Sequence, residues 1–545
     1  MNQPRLCPAN ASAQKTSAAS QDLPATGQKT PASRRRLPAA LGLATLSGVL
    51  YFVGFVDFGV WPLAWICLCP HLFALRLSAS GKEAFFVSWW MGAATFLGGY
   101  YWLVHLFQTF ASFPPPAAAL LYVAFCAAQG LQFAVMGAVT WRVARSTGLS
   151  MGWIAPVALV AAEFAIPLFF QSYLANSLAY VPHLIQVADL GGVLFVSLIM
   201  AAVSGALFEV VAARIERRRF PWAIALCAIG LLAFDLGYSA LRMRQMDRRD
   251  AALPKLTTAI VQGNVGAGDK HLFAQAGVDR FKQMSEALMR ERPEVGLIVW
   301  PESAYNLLVR GRPNMTGRVA DEVRVPMLVG MVRGERDRPG MWNSLAAIAP
   351  GGQIEGFYDK VELLAFGEYI PGERLLKPLY ERVLPFSSGF IHGENFEPLA
   401  VGPWRLSANI CYEDILPRHL RRLMQPDARG KTPQAMVNVT NDSWYGPAEP
   451  PIHLALAVFR AVEHRRWLVR ATATGVSAFV DSSGRLVQKS GFETVETLIA
   501  PVPMVEAGPT VYGRVGDLLG WIALVAVLAA LLGPRAQKLW RRLAG

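Results

Sequence analysis

Cysteine and histidine are scarce in this chain, and their scarcity excludes several chemistries. The 545 residues include 6 Cys and 8 His, nowhere clustered at zinc-ligand spacing, so no metal centre is expected. Cys67, Cys69, Cys126 and Cys227 fall in long apolar runs and Cys7 in a polar N-terminal stretch, which leaves Cys411 without a disulfide partner in the globular part. No G-x-S-x-G elbow occurs, and the histidines follow no hydrolase pattern. The features of a secretory signal are missing too, since charges do not open the chain and no cleavage site follows its first apolar run. That run is expected to be retained.

What is abundant is apolar. Hydrophobic residues make up 53% of the chain and the mean hydropathy is +0.31, more than one soluble core needs. The apolar material concentrates before Leu241 and after Asp517, so the chain reads as part membrane, part globular. Runs long enough to cross ~30 Å of hydrocarbon cover Leu37 to Val56, Val60 to Leu77, Ala84 to Leu106, Ala117 to Trp141, Met151 to Phe170, Gln186 to Ala213, Pro221 to Leu241 and Asp517 to Leu532. The expected organisation is a disordered tail over 1–36, a membrane domain of about seven helices over 37–241, a globular domain over 250–505, a last span over 516–533 and a basic tail over 534–545.

Alternate connections divide by charge. Lys and Arg occur at 34–36, 76 and 82, 142 and 145, 214–219 and beyond 534, whereas 57–59, 107–116 and 171–185 contain neither. Positive residues are retained on the cytoplasmic side. Both termini are therefore expected in the cytoplasm, with the large domain on the outer side of the membrane. The cluster Arg242 to Arg249 breaks this rule and is expected against lipid headgroups. Much of the net charge of +13 flanks membrane runs, so no nucleic acid is expected as a partner.

Between Leu253 and Val505, short β-branched runs at 257–261, 296–300, 325–332, 344–349, 406–410, 435–439 and 475–480 alternate with helix-like stretches at 278–290 and 452–465. That alternation predicts a layered α/β domain. Functional groups collect at strand ends in such domains, and three ends carry reactive groups. Pro301 is expected to stop a strand just before Glu302; Tyr358-Asp359-Lys360 leads into Phe366-Gly367-Glu368-Tyr369-Ile370-Pro371; Cys411 follows Leu406 to Ile410. A Glu beyond a strand is most often a solvated loop residue, Lys360 beside Asp359 a surface charge, and a lone Cys a small buried hydrophobe. However, an unpaired thiol in an oxidising compartment is a liability, and its presence there points to chemical use. A thiol with a pKa near ~8.5 needs a base, for which Glu302 is the candidate. Lys360 and the N–H of Tyr412 are candidates for oxyanion stabilisation, with Glu368 balancing the lysine.

In this order, "VWPES" around Glu302, "YDK…FGEYIP" around Lys360 and "NICYEDILP" around Cys411 resemble the Glu-Lys-Cys triad of the nitrilase superfamily. With "VQGNV" at 261–265, "VNVTNDSWYG" at 437–446 and the flanking spans, the chain resembles the apolipoprotein N-acyltransferase family. The resemblance implies an α-β-β-α sandwich beside a multi-span helical domain and a ping-pong reaction. Cys411 takes an acyl chain from a phospholipid as a thioester and yields it to the N-terminal amine of a diacylglyceryl-cysteine apolipoprotein. Glu302 is then the base, Lys360 the oxyanion partner and Glu368 a supporting carboxylate, with Tyr412, Glu413 and Trp444 also at the site. No cofactor is implied, and the protein is expected to act as a monomer. The pattern departs at Glu362-Leu363-Leu364-Ala365, at Ala473 where Asn is usual, and at Ile166, where an Arg often follows three residues after the intramembrane Glu163. These departures leave open a membrane-tethered relative with another acceptor, water included.

Overall fold

The computed structural model describes residues 36–266, 274–335, 340–365, 367–369, 372, 389–427 and 429–543. The N-terminal tail and Phe366, Ile370 and Pro371 lie outside these residues. Among the described residues, four helical segments are long and apolar enough to cross a membrane: Arg36–Val53, Pro115–Thr147, Val193–Ile215 and Trp222–Ala252. Shorter apolar helices are Trp61–Leu77, Met151–Ala165 and Leu518–Gly533. The third expected run forms Gly81–Gly99, whose first turn is capped by Ser80 Oγ accepting from Glu83 N, followed by the separate helix Leu103–Ala111. Small residues let these helices approach. A Cβ added to Gly92 would lie 2.7 Å from the Gly130 carbonyl, and the segment Pro115–Thr147 is broken at Gly130 into two helices.

Two expected spans are shorter than their apolar runs. The fifth leaves the helix at Ala165, and the sixth starts at Val193 instead of Gln186. Polar residues explain the difference, because Gln186 and Asp189 lie between them in 3₁₀ turns and a short helix that face the globular domain. Glu463 of that domain caps the sixth helix, accepting from Val193 N at 3.0 Å. At the C-terminus, helix Leu518–Leu543 continues through the basic stretch.

The globular part has two six-stranded sheets. Strands β1 (Lys255–Gln262), β2 (Leu297–Arg310), β3 (Met327–Gly334), β4 (Met341–Ile348), β5 (Ile354–Asp359) and β12 (Glu496–Pro503) form the first, in the order β12-β1-β2-β3-β4-β5. The second runs β11-β10-β9-β8-β7-β6, from β6 (Leu399–Val401), β7 (Trp404–Ile410), β8 (Ala435–Thr440), β9 (Leu468–Thr472), β10 (Ala478–Val480) and β11 (Leu486–Lys489). Side-chain alternation gives each strand two apolar faces. Ile260, Val299, Leu328 and Leu345 share a core with Leu406, Val437 and Leu468 of the other sheet, while Val261, Ile298, Trp300 and Val329 pack with Val278 and Phe281 of helix Ala274–Glu291. Helix Glu449–His464 packs beside the second sheet, so the order of layers is α-β-β-α.

One expectation about the strands is corrected. Pro301 does not end its strand. β2 continues to Arg310, and its register against β3 shifts between Trp300 and Tyr305, so Pro301 and Glu302 sit in a bulge followed by Ser303 at φ +51°. Gly330 on β3 makes room, since a Cβ there would meet the Pro301 carbonyl oxygen at 2.1 Å.

Arg242 and Arg249 of the cluster Arg242 to Arg249 have a different role from the one expected, whereas Arg244 and Arg248 are exposed. Helix Trp222–Ala252 has 31 residues, about 46 Å at ~1.5 Å per residue, and its final turns dock on the globular domain. Arg242 Nε and Arg465 Nε both reach Asp189 Oδ2 at 2.8 Å, and Arg249 donates to the Arg465 carbonyl at 3.0 Å. Asp250 takes up Trp467 Nε1 at 3.0 Å and Ser482 Oγ at 2.6 Å. These charges fasten the membrane helices to the globular domain.

Candidate active site

Cys411 stands where β7 ends, at φ +53°, a left-handed conformation costing a non-glycine residue about 1–2 kcal/mol. The turn that follows, Cys411–Ile415, is 3₁₀. Neighbouring groups hold the elbow in this conformation. Glu413, fully buried, turns back so that Oε2 accepts from Ile410 N at 2.7 Å and from Tyr358 Oη at 2.8 Å. Its Oε1 accepts from Val361 N at 2.7 Å and Glu362 N at 2.9 Å, tying the elbow to the end of β5. Asn438 Nδ2 donates to the Cys411 carbonyl at 3.1 Å.

That tie brings Lys360 to the thiol. Lys360 is 1% exposed, with Nζ 2.8 Å from Glu368 Oε2 and 3.7 Å from Glu302 Oε1. Asn343, in the middle of β4, donates from Nδ2 to Glu302 Oε1 at 2.6 Å and to Glu368 Oε1 at 2.9 Å, bridging the two carboxylates. Leu364 N completes the set at 2.8 Å from Glu368 Oε2. Burial opposes the charge on Lys360, but the carboxylates of Glu368 and Glu302 and the nearby sulfur more than offset it and raise its pKa, so it stays an ammonium. The Cys411 thiol is pushed well up, by burial first and the Glu302 charge second, with Lys360 pulling against them. At rest the sulfur therefore holds its proton. Such a site needs a base acting during attack, and places a cation where charge would develop.

Behind the elbow lies a buried polar network. Asn409, Asn438 and Arg470 are opposite one another on β7, β8 and β9. Asn438 donates to Asn409 Oδ1 at 2.7 Å, and Arg470 donates to Asn438 Oδ1 at 2.9 Å, to Asp414 and, at 3.3 Å, to Asp442 Oδ2. His453 lies 2.9 Å from Asp414 Oδ1 and 3.2 Å from Asp442 Oδ1. Burial and Arg470 disfavour its charge, yet Asp414 and Asp442 outweigh both and raise its pKa to about 10. Asp442, Glu449 and His453 place ligand-type atoms within 4.8 Å of one another. Arg470 supplies the cation there, and both imidazole nitrogens are engaged.

The mouth is aromatic. Trp444 meets Phe110 edge-on at 5.2 Å, Tyr445 meets Trp102 at 5.7 Å, and Tyr412 Oη reaches toward the Phe169 carbonyl at 3.5 Å. The globular domain thus opens onto helix Leu103–Ala111 and the segment after Ala165. All seven residues singled out in the sequence, Glu302, Lys360, Glu368, Cys411, Tyr412, Glu413 and Trp444, lie in this region. Glu362 is exposed and makes no ion pair among the described residues, yet beyond the larger effect of burial its charge raises the pKa of Tyr412 and of Tyr358. Asn343, Tyr358, Asn409, Asn438 and Arg470 were not anticipated. Their signal was a lone polar residue inside an apolar strand, as in "MWNSLAAI" and "AMVNVT".

A strand-end thiol set against a buried lysine and carboxylates, between two stacked sheets, defines the domain as a carbon–nitrogen hydrolase of the nitrilase type. Two family models match in succession, the apolipoprotein N-acyltransferase N-terminal domain over residues 47–206 and the carbon-nitrogen hydrolase over 257–512. Apolipoprotein N-acyltransferases of Geobacter metallireducens and Pseudomonas aeruginosa are each 29% identical to it, covering 90% and 92% of this chain and 94% and 98% of their own. A nitrilase-superfamily protein of Saccharomyces cerevisiae, 18% identical, aligns with a TM-score of 0.36 over 46% of this chain and 90% of its own. Along nine-tenths of its length the chain is similar to apolipoprotein N-acyltransferases, and it is an N-acyltransferase.

Proposed function

We propose that the protein moves an acyl chain from a phospholipid to the N-terminal amine of a diacylglyceryl-cysteine apolipoprotein, through a thioester on Cys411. The observation that carries this reading is the buried Cys411 at the end of β7 beside the Lys360–Glu302 pair. In the first half-reaction Glu302 takes the thiol proton as sulfur attacks the ester carbonyl, and Lys360 with the Tyr412 N–H meets the oxyanion. The carbon–oxygen bond to glycerol then breaks, the glycerol oxygen takes the proton from Glu302, and a lysophospholipid leaves. In the second, the neutral α-amine attacks the thioester, Glu302 accepts its proton, the carbon–sulfur bond breaks, and the proton returns to sulfur. An amine displaces a thiolate more readily than an alkoxide, so this order needs no nucleotide.

Glu368 and Glu413 position Lys360 and the elbow, and Tyr412 and Trp444 line the approach. The membrane helices have a function in this scheme, since both substrates are lipids whose transfer to water would cost ~0.8 kcal/mol per CH₂. The catalytic domain, proposed over 250–505, then faces the periplasm, with both termini cytoplasmic and the protein monomeric. The test is to deplete the protein in its host and analyse mature lipoproteins by mass spectrometry. Loss of the N-linked acyl chain is expected; unchanged lipoproteins would assign the thioester chemistry to another acceptor.

A further inference from the structure

The Cys411 sulfur meets groups from both sheets, and the proposed chemistry uses those of one. Glu302 and Lys360 come from β2 and the end of β5 in the first sheet, whereas Thr440 ends β8 in the second. Ile410 and Val439 are partners in the parallel register of β7 and β8, so Thr440, the next residue, comes level with Cys411. Thr440 is fully buried, and its hydroxyl shares a side-chain hydrogen bond with the Cys411 sulfur. The β9 side holds its backbone, by register with Thr472 and by Ala473 N donating to its carbonyl at 3.1 Å. A hydroxyl carries one proton, and here it goes to Asp442 Oδ1 at 3.1 Å. The thiol, which holds its proton at rest, is then the donor to Thr440. Asp442 does not depend on the threonine. Its Oδ1 also lies 3.2 Å from His453 Nδ1, and its Oδ2 accepts from Arg470 at 3.3 Å. The loop after β9 closes on it as well, since a Cβ at Gly475 would meet Asp442 Oδ2 at 2.3 Å.

Charge on the sulfur needs a partner of its own. The charged groups that act on it are Glu302, Lys360, Asp442 and Arg470. The two carboxylates oppose a thiolate, Arg470 is bound to Asp414 and Asp442, and Lys360 serves the carbonyl oxygen in the proposed transfer. We infer that Thr440 is a catalytic residue of this reaction, its hydroxyl turning from Asp442 to donate to the Cys411 sulfur whenever that sulfur bears negative charge. That occurs twice. The first time is when the S–H turns to Glu302 and gives up its proton for attack on the ester. The second is when the carbon–sulfur bond of the thioester breaks and sulfur leaves with the electron pair. Threonine keeps its own proton throughout, and Asp442 keeps His453 and Arg470 while the hydroxyl is turned away. A hydrogen bond to a charged group is stronger than one between neutral groups, so this contact tightens as charge develops and favours the transition state over the resting thiol. The inference rests on Cys411 being the nucleophile of the proposed transfer.

Alkylation by iodoacetamide reads the Cys411 thiolate without any lipid. The full-length protein in detergent is treated at a series of pH values from about 7 to 10, and the modified Cys411 peptide is quantified by mass spectrometry. Thr440→Val keeps the branched shape and removes the hydroxyl. At any pH in this range it is expected to be alkylated about tenfold more slowly than the parent, its profile displaced upward by about one pH unit. Acyl-enzyme formation from phospholipid should slow by about the same factor. Thr440→Ser, which restores the hydroxyl, should bring both rates to within about threefold of the parent. A Thr440→Val profile that superimposes on the parent's, or Thr440→Ser as slow as Thr440→Val, overturns the inference. Should Thr440→Val misfold, as judged by size-exclusion profile, Thr440→Ala makes the same deletion with less bulk, and an undisplaced profile in it is the overturning result. The acyl-transfer reading fails separately: a parent protein alkylated at Cys411 but gaining no acyl chain from phospholipid would sink that reading, and the alkylation comparison would still decide the part played by Thr440.

Discussion

Glu413 accepts the backbone N–H of Val361 at 2.7 Å, so the residue two places after the thiol fixes the residue one place after Lys360. Seen in sequence, Glu413 looks like a base for its neighbour Cys411. In space its two oxygens are occupied by three backbone N–H groups and the Tyr358 hydroxyl, which leaves neither for the thiol. It ties the turn at Cys411 to the end of β5 beside Lys360.

Replacing Glu413 by Gln puts a donor where three N–H groups converge. Misplacement of catalytic groups by about 1 Å costs on the order of 10²-fold, so acyl-enzyme formation on Cys411 is expected to slow by about that factor. Pulse-labelling with phospholipid and intact-protein mass spectrometry reads the rate. A rate unchanged within twofold would show that the tie does not position the pair. Tyr358→Phe, which removes one contact of the four, should cost less than tenfold.

Burial raises the Glu413 pKa to about 7. The folded state therefore holds this proton more tightly than the unfolded chain, whose carboxyl titrates near 4.5. Stability from this group is fully present below about 4.5 and is lost as the pH rises to about 7, a change on the order of 3 kcal/mol at ~1.4 kcal/mol per unit. The apparent Tm of Glu413→Gln, followed from pH 4.5 to 7.5 in detergent, should decline less steeply than that of the parent protein, in which Glu449 and Glu463 titrate over the same range. Parallel curves for the two proteins would contradict the assignment.

Removing the proposed base separates it from its supports. Glu302→Gln keeps an acceptor for Asn343 but cannot take the thiol proton, and a loss of about 10²–10⁴-fold in the acylation rate is expected. Asn343→Ala leaves Glu302 in place but unbridged from Glu368. Its loss should be smaller, and a pH–rate profile shifted relative to the parent would distinguish loss of the bridge from simple unfolding.

The layered α/β domain, the triad and the membrane runs could be read from the sequence because each rests on a local pattern. Cys411 follows a β-branched strand, and the apolar runs are continuous. What escaped depends on partners far along the chain. The bulge at Pro301 needs Gly330 from the next strand to admit it, so from local sequence Pro301 reads as a strand end. The strands β6 and β11, three and four residues long, are too short to carry a pattern of their own and are held by neighbours. Arg242 and Arg249 read as headgroup contacts because their partners, Asp189 and the Arg465 carbonyl, are brought to them only by folding.

Gly330 offers a test of the bulge. A methyl group there would have to displace the Pro301 carbonyl and the Glu302 Cα, 2.1 Å and 2.7 Å from its ideal position. Overpacking of this kind costs about 1–3 kcal/mol, and here the strain falls directly on Glu302. Gly330→Ala should lower acylation well beyond its effect on apparent Tm. An equal decline in both would make the glycine a packing residue only.

Asp189 is the node that joins two elements through three side chains: Arg242 and, at 2.7 Å, Tyr238 Oη from helix Trp222–Ala252, and Arg465 of the catalytic domain. Asp189 and Arg465 are each 1% exposed, so neutralising one leaves the other as an uncompensated buried charge. Breaking such a pair typically costs about 3–5 kcal/mol, whereas replacing both partners by apolar groups can be nearly neutral. Asp189→Asn is therefore expected to lower the apparent Tm strongly. The double variant Asp189→Leu/Arg465→Leu should recover part of the loss, although Arg242 stays without its carboxylate. The catalytic groups lie elsewhere, so thioester formation per folded molecule should change little in detergent and fall in membranes, where the docking of the two domains sets how a lipid reaches Cys411. A variant as stable as the parent would show that the junction is held by the apolar contacts alone.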